Sequence, residues 1–440
     1  GKPMNSPITI RRTWLTVFAA VLFAPSLAAE EHAWSSFQNA GDNAAPAGGL
    51  PVNWAPDSNI AWQSAIEGYG QSTPIIIDDR VYVTSVSGSQ KDTFHLAAFS
   101  LADGKKLWQK EFVNPSPKEN TPMTSRAAPS PVADENGCIS FFEGGIVVAV
   151  SPQGELRWQR NLIDEYGPAP ARHGLAASLE QDSERVFVWM ERQEDPYIHA
   201  LDKKSGENVW KVTGVGSTSW SSPRLVQTDE GSHLVCSASG KVIGIDPQTG
   251  NRLWEFSEIA NNTSCTPIPA GKNRFLIGAS DGRGAENEGT GAAFNGVVEI
   301  KKTADGYAAN YLWNAKKASS SFGSPIVAGN TACFVNRAGV LYRLDIETGE
   351  RVAVDRTKAG GIWATPIVAG DLLYLFGYKG TTSVISLKDG KEVAENRLWE
   401  AEASGQSSFG GGKVLYAASP APPYLILRRG DTLYAVKDQP

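Results

Sequence analysis

The hydrophobic positions of this chain fall in short runs, and the runs recur. Over residues 72–108, Ile75-Ile76-Ile77 is followed by Val81-Tyr82-Val83, then Leu96-Ala97-Ala98-Phe99, then Leu107-Trp108. Each run has strand length and is rich in β-branched or aromatic residues. Turn residues bound the runs: Ser72-Thr73-Pro74, Asp78-Asp79 and Asp103-Gly104. This predicts a four-stranded antiparallel meander. The Ser/Thr-Pro opening returns at Ser130-Pro131, Ser222-Pro223, Thr266-Pro267, Ser324-Pro325, Thr365-Pro366 and Ser419-Pro420, and without its proline at Ala177-Ser178-Leu179. The turn before the fourth strand returns as Asp202-Lys203-Lys204-Ser205-Gly206, Asp246-Pro247-Gln248-Thr249-Gly250 and Asp345-Ile346-Glu347-Thr348-Gly349. Trp follows the turn glycine by four residues at Trp108, Trp158, Trp210 and Trp254.

Each feature has a physical reason. A proline at a strand start gives up a ladder donor where it is least missed. The turn Asp closes on later amides, and Gly supplies a left-handed conformation. The Trp buries a large apolar body between units and offers its N–H to the next one. Counting openings gives eight units. The last, from Ala418 to Val436, has room for only three strands, and Asn59-Ile60-Ala61-Trp62 matches the missing fourth. The expected fold is all-β: an eight-bladed β-propeller of four-stranded antiparallel blades, closed by an N-terminal strand. Closure removes the exposed edges of an open array. Residues 58–440 form the propeller, with a Gly-rich insertion at 280–295 in blade five. Docking is assigned to Trp62, Trp108, Trp158, Trp210, Trp254 and Trp313. Blades six and seven have Ala353 and Ala394 at that place, and Trp313 is shifted by a longer turn, so these blades are expected to dock less tightly or differently.

Composition narrows the function. The 44 glycines and 13 tryptophans follow from the repeat, and a net charge of −6 with interleaved signs argues against nucleic acid. Arg11-Arg12 followed by the apolar run from Trp14 to Leu27, ending at Ser26-Leu27-Ala28, reads as a secretory signal over residues 1–28. Residues 29–57 form a lead-in. No Cys lies near the cleavage site, so a lipid anchor is not expected. A periplasmic or secreted monomer with no membrane span in its mature part is expected. Cys138, Cys236, Cys265 and Cys333 lack metal or disulfide spacing and read as buried strand residues. His95, His199 and His233 stand singly and read as structural.

The Ser-Pro opening, the Val-Tyr-Val strand, the Asp-x-x-Thr-Gly turn and the following Trp resemble the repeat of PQQ-type (quinoprotein) propellers. That family includes quinoprotein dehydrogenases and BamB-like exported propellers. The lead-in Leu50-Pro51-Val52-Asn53-Trp54, with Ile60-Ala61-Trp62, is similar to the start of the latter. The enzymes of the family hold a planar quinone with Ca²⁺, an Asp base and an adjacent-cysteine disulfide. This chain has no Cys-Cys pair and no motif on which to place those ligands, so no catalytic or metal residue is assigned and no cofactor is expected. The resemblance implies a non-catalytic scaffold for envelope proteins. The alternative is a protein that binds PQQ or another quinone or sugar, up to a quinoprotein dehydrogenase. The first strand of the repeat lies nearest the axis, so residues before each opening are expected at the channel mouth: Tyr69, Gln71, Arg126, His173, Trp220, Asn262, Phe322 and Trp363. They suit a flat or anionic ligand; the competing and favoured reading is that the aromatics plug the channel and Arg126 pairs with a nearby acid.

Overall fold

The computed structural model describes residues 1, 32–281, 289–400 and 412–439. The segment read as a signal lies outside the described residues, as do residues 282–288 of the blade-five insertion. The compact unit His32–Pro440 is built of eight antiparallel sheets. Each follows the meander read from the repeat; blade one pairs Ile75–Ile77, Arg80–Ser87, Thr93–Ser100 and Lys106–Val113 in order. Blade eight takes Leu415–Ala421, Tyr424–Arg429 and Thr432–Val436 from the C-terminus and Ile60–Ala65 from the front, so the ring closes as expected.

The conserved spacing has a register behind it. In every blade the third and fourth strands slip by one residue at the docking position: Ala98 opposes Trp108 while Phe99 opposes Lys106. The same bulge lies beside Trp158, Trp210, Trp254, Trp313, Ala353 and Ala394, and at Trp62 in the closing pair. The bulge re-aims the side chain toward the next blade. Trp62, Trp108, Trp158, Trp210 and Trp313 donate Nε1–H to turn carbonyls of the following blade, at Leu101, Pro152, Lys203, Pro247 and Ile346, over 2.8–3.0 Å. The turn glycine of that next blade lies flat on the indole. A Cβ at Gly104, Gly154, Gly206, Gly250 or Gly349 would stand 2.5–2.8 Å from the ring of the preceding blade's Trp, and all five have positive φ. Glycine is thus required there twice over.

Two docking expectations need correction, for Trp313 and Trp254, whereas blade six does dock differently. Trp313 docks like the others, because blade five lengthens its two outer strands together and keeps the bulge next to it. Trp254 docks differently: it donates to His233 Nδ1 in its own blade and stacks on Phe275, since blade five turns tightly at Ala304-Asp305 and lacks the Asp-x-x-x-Gly loop. In blade six Arg343, opposite Ala353, reaches the following turn instead and donates Nη1–H to Leu387 O at 3.0 Å. Its guanidinium takes the place of the missing indole. Arg343→Ala is expected to cost about 1.5–3 kcal/mol, the loss of a charged buried hydrogen bond, read as a lowered urea midpoint. Beside blade seven, lead-in residues Leu50 and Trp54 share one apolar cluster with Ala394 and Leu398, and Trp54 N donates to Asn396 Oδ1.

A second belt runs around the axis. Thr73 N donates to Ser130 Oγ, Ser130 N to Ser178 Oγ, Ser178 N to Ser222 Oγ, Ser222 N to Thr266 Oγ1 and Thr266 N to Ser324 Oγ, all at 2.9–3.1 Å. The hydroxyls of Ser130, Ser178, Ser222, Thr266 and Ser324 therefore each link two neighbouring blades. The lead-in is more than a connector. Ala33–Trp34 pairs with the inner strand of blade one, and Ala44–Ala45 runs parallel to that of blade seven, giving each a fifth strand. Between them the chain crosses the channel, bound to blade four by Arg224 and to blade seven by Gln38. All four cysteines are free and buried, and burial pushes the thiols of Cys138 and Cys265 up to about 12.

Candidate functional site

The segments that lead into the inner strands line the channel, in several blades with both the Ser/Thr of the opening and the residue two before it. The wall thus consists of Gln71 and Thr73, Ala128 and Ser130, Ala176 and Ser178, Trp220, Ser264, Phe322 and Ser324, Trp363 and Thr365. Phe37 and Gln38 of the crossing lead-in lie across the other end. The result is a cup of about 210 Å³.

Its rim carries an arc of aromatic rings. His173 stacks on Trp220 with centroids 5.0 Å apart; Trp220 meets Phe322 edge-on at 5.2 Å; Phe322 meets Trp363 at 6.3 Å; Trp363 meets Tyr416 at 5.9 Å. Tyr416 contacts Tyr69, and the Arg126 guanidinium lies 3.6 Å over the Tyr69 ring. Blade five contributes Ser264 and blade two Ala128 at the corresponding places, so the rings form an arc and not a closed circle.

Of the mouth residues expected from sequence, Gln71, His173, Trp220, Phe322 and Trp363 come together in the cup. Tyr69 and Arg126 stand behind its edge. Asn262 does not reach it: fully buried, its amide donates to Ser237 Oγ, Ala238 O and Lys241 O and holds the blade-four hairpin. These three lie four residues before their Ser/Thr rather than two. Sequence reasoning missed Tyr416, which comes from the closing blade, and Phe37 and Gln38, which come from the lead-in.

Charge behind the rim is uneven. Lys91, Arg126 and Arg428 are buried there. Lys91 Nζ is shared between Thr124 Oγ1, Ser125 O and Glu143, whose Oε1 lies 3.7 Å away. Arg428 donates to Ser72 O, Ser72 Oγ and Thr84 O. Arg126 Nε and Nη2 have no hydrogen-bond partner among the described residues. Two buried carboxyls brace the rim loops from below. Glu143 accepts from Ala127 N with both oxygens, and Glu191 Oε1 accepts from Ala176 N and Ala177 N. Glu143 has Lys91 beside it. Glu191 has no cation, and burial pushes its carboxyl up to about 8. His199 is buried among Tyr166 and Tyr197 with neither ring nitrogen hydrogen-bonded, and burial depresses it to about 3.

The architecture and the repeat decide the family. The profile described as outer membrane protein assembly factor BamB matches residues 47–168, 168–355 and 303–437. This chain belongs to the BamB family. BamB of Shewanella oneidensis is 22% identical over 232 residues, covering 52% of this chain and 53% of the relative. BamB of Yersinia pestis is 23% identical over 293 residues, covering 66% of this chain and 64% of the relative. The chain thus spans between half and two thirds of the length of these relatives. Among solved structures, BamB from Moraxella catarrhalis superposes with a TM-score of 0.57 at 13% identity, over 86% of this chain and 96% of that one. The designed protein Ika8 gives 0.56 at 13% identity, over 86% and 100%. These likenesses show the propeller fold. No helix among the described residues is long and apolar enough to cross a membrane.

Proposed function

We propose that this BamB-family propeller is an extracytoplasmic interaction scaffold that seats an apolar anchor of a partner protein in the aromatic cup. One observation carries the reading: an arc of aromatic rings in contact, from His173 to Tyr416, lines one side of a recess of about 210 Å³. That volume lies below the roughly 300 Å³ at which small-molecule sites begin, and it suits one or two buried side chains. Half-buried Trp and Tyr around a recess are the usual anchors of a protein interface. The unpaired donors of Arg126 add a place for a carboxylate beside the anchor. The cup does not suit a quinone held by Ca²⁺. Among the described residues its lining carries no carboxylate, the ligand type that gives a hard cation most of its binding energy.

A Trp220→Ala/Trp363→Ala double variant tests the proposal. Both side chains lie on the rim rather than in the apolar clusters, so the fold should survive, which far-UV circular dichroism would show. Each substitution is expected to weaken partner binding by about 2 kcal/mol or more. Undiminished recovery of envelope partners by the folded double variant would refute the proposal.

A further inference from the structure

We propose that blade one carries a zinc site made of Glu67, His95 and Glu111, away from the cup. His95 and Glu111 are directly opposed on neighbouring strands, and Glu67 follows the closing strand Ile60–Ala65. One ligand atom from each of the three lies within 4.8 Å of the other two.

The arrangement is that of a cation site rather than a solvated cluster. His95 is buried, with 2% of its surface exposed. Its Nε2 lies 2.8 Å from Ser87 Oγ, which fixes the ring and, with the proton on Nε2, leaves the Nδ1 lone pair pointing at the carboxylates. Metal-bound histidines are commonly held in this way by their second nitrogen. Nδ1 is 3.7 Å from Glu111 Oε1. Three acceptors thus converge, and the donor between them is a neutral amide: Gln109 Nε2, 2.7 Å from Glu67 Oε2 and 3.3 Å from His95 Nδ1. Lys106 Nζ donates to Gln109 Oε1 at 3.2 Å, so its charge stands beside the cluster on the far side of that amide and would move away with it. A divalent ion displacing that amide would gain both charges and the lone pair. One nitrogen and two carboxylates suit zinc, with bonds of about 2.0–2.2 Å. Glu67 and Glu111 are exposed, so their side chains are free to close on the ion. The site would bridge the strand that completes blade eight to the body of blade one and staple the ring where it closes.

The test uses the untagged mature chain after chelator treatment, titrated calorimetrically with zinc and, as a control, magnesium, with thermal midpoints recorded alongside. One zinc should bind per chain and raise the midpoint, and magnesium should do neither. Glu111→Gln, on the surface and nearly isosteric, should remove binding without altering the midpoint in chelator. Ser87→Ala should weaken zinc by about 10–100-fold by freeing the ring. The proposal is overturned if zinc leaves the midpoint unmoved, or if Glu111→Gln responds as the parent does. It is also overturned if the cluster responds only to pH, which would make it a place for a proton on His95.

Discussion

Replacing Arg224 by alanine is expected to lower stability by about 3–5 kcal/mol and to release the lead-in from the channel. Arg224 is almost wholly buried and holds three parts together. Nη1 pairs with Glu180 Oε2 of blade three at 3.1 Å, Nε donates to Pro267 O of blade five, and Nη2 donates to Phe37 O and Gln38 Oε1 of the lead-in. Without it Glu180 remains buried, with only the backbone amides of Gln181 and Leu225. Breaking one side of a buried pair costs far more than removing both. The lead-in also has strain to release. Gln38, Asn39 and Ala40 are consecutive left-handed residues, at φ of 55, 45 and 55°, each costing about 1–2 kcal/mol. Two measurements check this: the urea midpoint, and amide exchange across Phe37–Gly41, which should become fast. Pairing Arg224→Met with Glu180→Leu should recover most of the stability while leaving the lead-in amides exposed to exchange.

Glu191→Gln is expected to stabilise the protein by about 3 kcal/mol at pH 7 and to flatten its pH dependence. The folded carboxyl is held near 8, and the unfolded one titrates near 4.5. Between these values the folded state keeps a proton that the unfolded state gives up. Stability relative to a neutral side chain is therefore unchanged below the unfolded value and falls by about 1.4 kcal/mol per pH unit up to the folded one. Glutamine stays neutral throughout, and its Oε1 accepts the same amides of Ala176 and Ala177. The two proteins should unfold alike at pH 4.5 and diverge steadily to pH 8. Parallel curves would show that Glu191 is already ionised in the fold.

How much of this was legible follows from how local each feature is. The meander, the count of eight and the closing strand depend on neighbours in sequence, and the repeat displays them. Docking depends on the next blade, so a rule read from Trp could not foresee Arg343 supplying the same donor from the third strand. The serine hydroxyls have no purpose within one blade, and their belt exists only once blades stand side by side. At the cup, the second residue before the Ser/Thr faces the channel in most blades, whereas His173 lies five and Tyr416 three residues before theirs. Reading four residues back instead led to Tyr69, Arg126 and Asn262, which turn away. Phe37 and Gln38 carry no periodic signal, because the lead-in belongs to no repeat.

The central claim is that the cup is where the partner sits. The direct measurement places a photoreactive side chain at Phe322, on the rim, and separately at Val352, 56% exposed on the outermost strand of blade six, and crosslinks in the intact envelope. The account predicts a discrete protein adduct from position 322 that disappears when Trp220 and Trp363 are both alanine, and none of that size from 352. An adduct from 352 alone, or one from 322 that persists without the two tryptophans, would contradict it.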